Sequence, residues 1–391
     1  SVDIAAPPIS VRLALADGDG RSYIVLLQTA PDEHAALVEQ VFDPALDALS
    51  PLSAEVTTDP AELAYQVEDV TFPGGDAGIE LAGTLTLPAG DGPHPAIVLM
   101  NGSGAQDRDS SFRPATELAP FAILADAFAE AGIGTLRYDD RGVGGSSGDY
   151  FAATIENQTR DGGAAVDHLA TRPEVDPAQI GLLGHSEGGV YAGSLAADDP
   201  DVAFAIGLAT IATNGLDTIT AQQEAILRSM DAEEDEIDKA VGFNAEAIAQ
   251  AVAGDLEAAE ATLEDAFLYV WEGLSDEEQA AVGDQEAWTR RQVDAALAGL
   301  DSDYIRSLMT AEPAADWGRV VLPVLHVFAG KDIQVIADQQ VPLMQAALEA
   351  AGNEDFEIVT LPGANHLFQA AETGYLDEYS ELAPELTPDL V

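Results

Sequence analysis

Four short segments, far apart in the chain, carry residue types that together could attack a carbonyl carbon. Gly184-His185-Ser186-Glu187-Gly188 reads G-x-S-x-G; an apolar run at 180–183 precedes it, and a helical stretch through Tyr191 and Leu195 follows. A serine on a sharp strand-to-helix turn holds its hydroxyl clear of the backbone, and glycines two positions to either side remove steric conflict. The following helix aims its positive end at developing negative charge. A serine hydroxyl is a poor nucleophile until a base takes its proton. Pro362-Gly363-Ala364-Asn365-His366 directly follows the last strand-like run, 356–361, which makes His366 the expected base. The other histidines have plainer settings: His34 in an N-terminal segment, His94 among prolines, His168 in a helical stretch, His326 within a strand. His185 adjoins the serine but is expected to point elsewhere on the turn.

The base must be kept in one tautomer and its imidazolium stabilised, which asks for a carboxylate at a strand's carboxyl end. Asp332, in Ala329-Gly330-Lys331-Asp332 after the run 324–328, meets that demand, with Asp338 as the alternative. Among 70 acidic residues an aspartate alone says nothing; its place after a strand carries the inference. The tetrahedral oxygen also needs donors. One is expected from the backbone N–H of Glu187. The other is expected from the loop Asn101-Gly102-Ser103-Gly104, at the Ser103 N–H, with the Gly104 N–H as the alternative.

These residues need a scaffold that delivers strand ends to one edge. From about residue 66, strand-like segments at 79–87 (alternating), 96–100, 134–138, 180–183, 203–208, 324–328 and 356–361 interleave with helical stretches at 116–131 and 160–170. That pattern predicts an α/β fold with a mostly parallel central sheet covered by helices. Between Thr213 and about Trp317 the strand pattern stops, and helical spacing through Ile219, Ile226, Leu227, Met230, Leu256, Leu263, Phe267 and Trp271 takes over. A helical lid over 213–317 is expected there, with Trp271 and Trp288 in its interior. The hydrolytic core would then be 66–212 with 318–391. Residues 1–65 stand apart as a small accessory segment: strands at 11–15 and 23–27 around Asp17-Gly18-Asp19-Gly20, a helical stretch through Leu37, Val41 and Leu46, then a linker marked by Pro51 and Pro60.

Composition narrows the partners. The 391 residues carry 70 acidic against 15 basic side chains, a net charge of −55, and only two lysines, Lys239 and Lys331. Such a surface repels nucleic acid and anionic membranes. Its self-repulsion is relieved at about 1 M salt, where the Debye length falls to roughly 3 Å, so adaptation to brine is expected. No cysteine is present, which excludes a thiol nucleophile and cysteine-bound metal; six scattered histidines without HExxH-type spacing argue against zinc. No apolar run approaches a transmembrane length of about 18 residues. The chain begins at Ser1 without a basic-then-apolar leader, so a trimmed start is expected. Together with the lack of cysteine, that leans the reading toward a secreted or extracytoplasmic location.

Four spaced stretches resemble a bacterial α/β-hydrolase group of esterases and serine-aminopeptidase-like proteins: Leu81-Ala82-Gly83-Thr84-Leu85-Thr86-Leu87-Pro88, Gly102-Ser103-Gly104-Ala105-Gln106-Asp107-Arg108-Asp109, Arg137-Tyr138-Asp139-Asp140-Arg141-Gly142-Val143-Gly144 and Gly184-His185-Ser186-Glu187-Gly188-Gly189. The resemblance runs from about residue 66 to the end. It implies an α/β-hydrolase fold and cofactor-free carboxylesterase activity on small acyl esters. Ala105 stands where that group has proline, which predicts a slightly looser loop. Asp107, Arg108 and Asp109 are expected to pin this loop through ion pairs, with Asp139 and Arg141 as further anchors and partners. A peptidase or thioesterase could use the same residues. A non-catalytic binding protein is disfavoured, because every member of the constellation is in place.

Overall fold

In a computed structural model, the described residues are the backbone of 2–6, 9–18 and 21–29 and, with side chains, 65–112 and 116–390. The chain divides into two compact units, 1–63 with 274–284, and 64–273 with 285–391.

In the first unit, β1 (Val2–Ala6), β2 (Ile9–Gly18) and β3 (Arg21–Thr29) form an antiparallel sheet in the order β1-β2-β3. Gly18 pairs with Arg21 across the hairpin, where the Asp-Gly repeat predicts a turn. The expected helix through Leu37, Val41 and Leu46 and the linker at Pro51 and Pro60 lie outside the described residues.

The second unit is built on an eight-stranded sheet. Its strands are β4 (Tyr65–Pro73), β5 (Glu80–Pro88), β6 (His94–Met100), β7 (Gly134–Tyr138), β8 (Val175–His185), β9 (Phe204–Leu208), β10 (Val324–Ala329) and β11 (Phe356–Leu361). The spatial order is β11-β10-β9-β8-β6-β7-β5-β4. The pairs β4·β5 and β5·β7 are antiparallel and the rest parallel. The central strands are apolar on both faces, with Ala96, Ile97, Val98, Leu99, Met100, Ile180 and Leu182 buried, because helices cover both sides. Each such side chain contributes about 1.5–3 kcal/mol on burial, with alanine well below that range.

The covering helices are α1 (Pro120–Glu130), α2 (Ile155–Ala170), α3 (Gly188–Asp198) and, after β10, α11 (Ala337–Ala351). Helix α1 is shorter than the 116–131 spacing predicts, because Pro120 occupies its first turn and fixes where it starts. Helix α2 begins five residues earlier than predicted, where Thr154 and Asn157 form a reciprocal capping box.

Between β9 and β10 the second unit is helical: α4 (Gly215–Ser229), α5 (Glu234–Val252), α6 (Leu256–Gly273), α8 (Gln285–Leu300), α9 (Asp303–Thr310) and α10 (Pro313–Trp317). Helix α7 (Asp276–Val282) belongs to the first unit. Ala247, Leu263 and Val293 make a small core of their own, with Phe267 packed against it. Trp288 meets Phe267 edge-on and stacks obliquely with Trp271, and both tryptophans are half-buried within the helical segment.

Candidate active site

The strand order reverses at β6: β7 lies on one side of it and β8 on the other. Loops leaving the carboxyl ends of β6 and β8 therefore diverge and open a crevice. The first of these loops carries Ser103 and the second carries Ser186.

Ser186 adopts φ of 54°, in the left-handed region. Such a conformation costs an ordinary side chain about 1–3 kcal/mol and persists only where its surroundings impose it. Here its N–H donates to the Leu208 carbonyl of β9 at 2.8 Å, and its carbonyl accepts from the Gly189 N–H at 3.0 Å. The flanking glycines are steric necessities. A Cβ on Gly184 would strike the Gly188 carbonyl, and one on Gly188 would meet the carbonyl oxygens of Met100 and Asn101, the latter at 2.5 Å. The loop after β6 passes directly against the serine, since a Cβ on Gly102 would sit 3.2 Å from the Ser186 Cβ.

His366 follows β11 in a loop held from within. Asn365 Oδ1 accepts the N–H groups of Leu367 and Gln369, at 3.1 and 2.9 Å. His366 Nδ1 lies 2.7 Å from Asp332 Oδ2, and both side chains are buried. Asp332 Oδ1 accepts from the Gln334 and Val335 N–H groups at 2.7 and 2.8 Å, which fixes the carboxylate's orientation. The alternative acid, Asp338, is exposed in the first turn of α11.

His185 has a supporting place. Its Nε2 is 2.9 Å from the His366 carbonyl oxygen, which can only accept, so Nε2 carries the proton. Burial, with His366 nearby, pushes its pKa down to about 3 and keeps the ring neutral. His326 is likewise buried and held down to about 3, edge-on to Trp317.

Ser103, Ser186, Glu187 and His366 line one cavity of about 180 Å³. Helix α4 supplies Thr218, Ile219 and Gln222 to its wall, and α9 supplies Tyr304, Ile305, Leu308 and Met309; Ile211 and Val335 add apolar surface and Gln334 a second amide. Among the described residues, no backbone hydrogen bond of the loop regions is donated by the Ser103 or Glu187 N–H. The Gly104 N–H, by contrast, donates to the Tyr150 hydroxyl at 3.1 Å and is thereby engaged.

Glu187, one of the residues lining this cavity, is buried. Its Oε1 accepts from Tyr150 at 3.0 Å and from Tyr191, and its Oε2 accepts from Tyr304 at 2.7 Å. Burial raises the carboxyl's pKa, while the three hydroxyls pull it back down. The sequence reading used only the Glu187 backbone and missed the tyrosines; no local pattern could reveal them, since Tyr304 is 117 positions away.

The anchors act largely as expected. Arg108 forks onto Asp139 at 3.0 and 2.7 Å, and Asp107 caps the N–H groups of Asp109 and Ser111. Arg141 instead pairs with Asp161 and Asp76, away from the first cluster. At Ala105 the loop gains its stiffness from the next residue: the Gln106 N–H donates to Asp140 and its side chain to the Ser103 carbonyl, at 2.8 and 2.9 Å. Among the described residues, no helix is long and apolar enough to cross a membrane.

A reversing parallel sheet with a serine on its strand-to-helix elbow agrees with the family comparison: a model of the Alpha/beta hydrolase family matches residues 97–377, and the chain belongs to that family. Esterase EstD of Thermotoga maritima is 26 % identical over 314 residues, which cover 79 % of this chain and 61 % of EstD. The uncharacterised protein PA2218 of Pseudomonas aeruginosa is 34 % identical over 141 residues, 35 % of this chain and 33 % of that protein. The chain thus spans 61 % or less of the length of either relative. Among solved structures, the Pyrococcus furiosus esterase Pf2001 matches with a TM-score of 0.47 at 14 % identity, over 77 % of this chain and 83 % of that one.

Proposed function

We propose that this protein is a serine carboxylesterase acting on small, uncharged acyl esters. Ser186 Oγ attacks the carbonyl carbon as His366 takes its proton, while the N–H groups of Ser103 and Glu187 hold the oxyanion. His366 then passes the proton to the departing alcohol. Water, activated by the same imidazole, releases the acyl group from Ser186. Asp332 holds His366 with Nδ1–H toward itself, so that Nε2 is the free base, and it stabilises the imidazolium.

The lining of the cavity carries this reading. Its volume, about 180 Å³, lies below the roughly 300–1,000 Å³ of sites for drug-sized ligands, so a short acyl chain fits best. Its wall is apolar and amide-bearing, and its one carboxyl, Glu187, is already engaged by three hydroxyls. An aminopeptidase would need a free carboxylate there for the substrate's ammonium group, so the ester reading is favoured over the peptidase one. A relative named as an esterase points the same way.

In this reading the helices from α4 to α10 that belong to the second unit act as a lid over the cavity, and residues 1–65 form an accessory segment outside the chemistry. The −55 charge fits work in brine. The test is turnover of p-nitrophenyl acetate, butyrate, octanoate and palmitate beside an amino-acyl p-nitroanilide. The proposal expects the shortest esters to be turned over fastest. A preference for the anilide would make the protein a peptidase on the same scaffold.

A further inference from the structure

Glu187 and its tyrosines have no part in the proton transfers, yet they join three separate parts of the site. Tyr304 lies on α9, in the helical segment lining the cavity; Tyr150 lies in the loop preceding α2; Glu187 sits in the elbow itself. The Tyr150 hydroxyl donates to Glu187 Oε1 at 3.0 Å, lies 3.4 Å from the Tyr304 hydroxyl and accepts the Gly104 N–H at 3.1 Å. The carbonyl of the same Ser103–Gly104 peptide accepts from Gln106 Nε2 at 2.9 Å. That peptide plane is therefore gripped at both ends, and its orientation governs the direction of the neighbouring Ser103 N–H.

Tyr304 completes the arrangement. It donates to Glu187 Oε2 at 2.7 Å, its ring packs at 5.1 Å from that of Tyr150, and both rings are buried or nearly so. If α9 moved away, Oε2 would lose its donor and Tyr150 one of the rings that pack against it. An unmade hydrogen bond at a buried carboxyl is costly enough to displace the network.

Building on the esterase reading above, we propose that Tyr304, Glu187 and Tyr150 form a positioning relay: seating of α9 sets the Ser103–Gly104 peptide plane and thereby the second oxyanion donor. Tyr304 and Tyr150 are positioning residues in this account. They act through the loop, so their loss should weaken binding of the tetrahedral state while sparing that of the ester.

The test uses the full chain with Tyr150→Phe and Tyr304→Phe, each removing one oxygen. Three readouts are compared: kcat and KM for p-nitrophenyl butyrate, affinity for butylboronic acid (which forms a tetrahedral adduct on a reactive serine), and melting temperature. Both variants should lose about 10- to 100-fold in kcat, short of the roughly 10²–10³-fold loss on removing an oxyanion donor outright, with KM within about 3-fold. Boronate affinity should fall in parallel with kcat/KM. Tyr150→Phe breaks the link at the loop itself and decides the matter alone should Tyr304→Phe not fold. Wild-type kcat and boronate affinity in folded Phe variants, or a loss confined to KM or to melting temperature, would overturn the relay and leave the esterase reading standing. A wild-type protein with neither ester turnover nor boronate affinity would overturn both.

Discussion

Replacing Asp332 by asparagine probes the chemistry without disturbing the geometry, for a reason visible at the carboxylate. Oδ1 accepts the N–H groups of Gln334 and Val335, while Oδ2 faces His366 Nδ1. An asparagine is bound to turn its carbonyl oxygen to the two backbone donors, because the reverse would place its NH₂ group against them. Its NH₂ then points at His366 Nδ1, which must offer a lone pair. The imidazole proton is thereby forced onto Nε2, where the base needs to be free. The loop keeps its hydrogen bonds, so the fold should survive. The expected loss in kcat is on the order of 10⁴, or about 5.4 kcal/mol at 1.36 kcal/mol per factor of ten. The assay is p-nitrophenyl butyrate hydrolysis beside melting temperature and circular dichroism, with Asp338→Asn as control. A folded Asp332→Asn protein with more than about a tenth of wild-type kcat would refute the assignment, and a collapse in Asp338→Asn would relocate the acid.

Three further outcomes follow from other parts of the molecule. Met309→Ala opens the cavity wall beside Ile305 and Leu308, so the preferred acyl chain should lengthen by one to two methylenes (roughly 0.8 kcal/mol each in relative kcat/KM), read across an ester series. Melting temperature should rise with potassium chloride toward about 1 M as the repulsion of a −55 chain is screened; a flat or falling curve would refute adaptation to brine. His326 has both ring nitrogens unpartnered and a pKa lowered by burial from 6.5 to about 3. Because the unfolded chain binds the extra proton between these values, the neutral ring's contribution is whole above about pH 6.5 and drains away as pH falls toward 3. His326→Leu should therefore unfold much like wild type at pH 7 yet be more stable by about 2 kcal/mol at pH 5, as urea titration would measure; equal acid sensitivity in the two would contradict it.

The parts of this fold that sequence made legible are those written in local pattern. Strands β7 and β11 were visible to the residue, because each is a short segment rich in strand-favouring residues (Thr135, Leu136 and Tyr138; Phe356, Ile358, Val359 and Leu361) bounded by turn residues. Strand β4 was not: only Val70 and Phe72 of its nine residues are buried, so neither alternation nor a continuous apolar run marks it. The positions of Ser186, Asp332 and His366 could be read because each directly follows a recognisable strand. What lay beyond reach was everything made by tertiary packing. The proton-bearing Nε2 of His185 on the His366 carbonyl, the tyrosines around Glu187, and the pairing of Arg141 with Asp161 all join residues whose separation in sequence carries no period. The acidic loops were legible as anchors, but not which carboxylate each arginine would take.

In the proposed reaction Ser186 is the nucleophile, and its cleft holds the tetrahedral oxyanion. The most direct test is reaction of the folded protein with a fluorophosphonate, with intact mass and peptide mapping, beside Ser186→Ala. One phosphonyl group per chain is expected, on Ser186, with ester turnover lost in step with labelling and no label on the alanine protein. Label on another residue, or ester turnover that survives in Ser186→Ala, would contradict it.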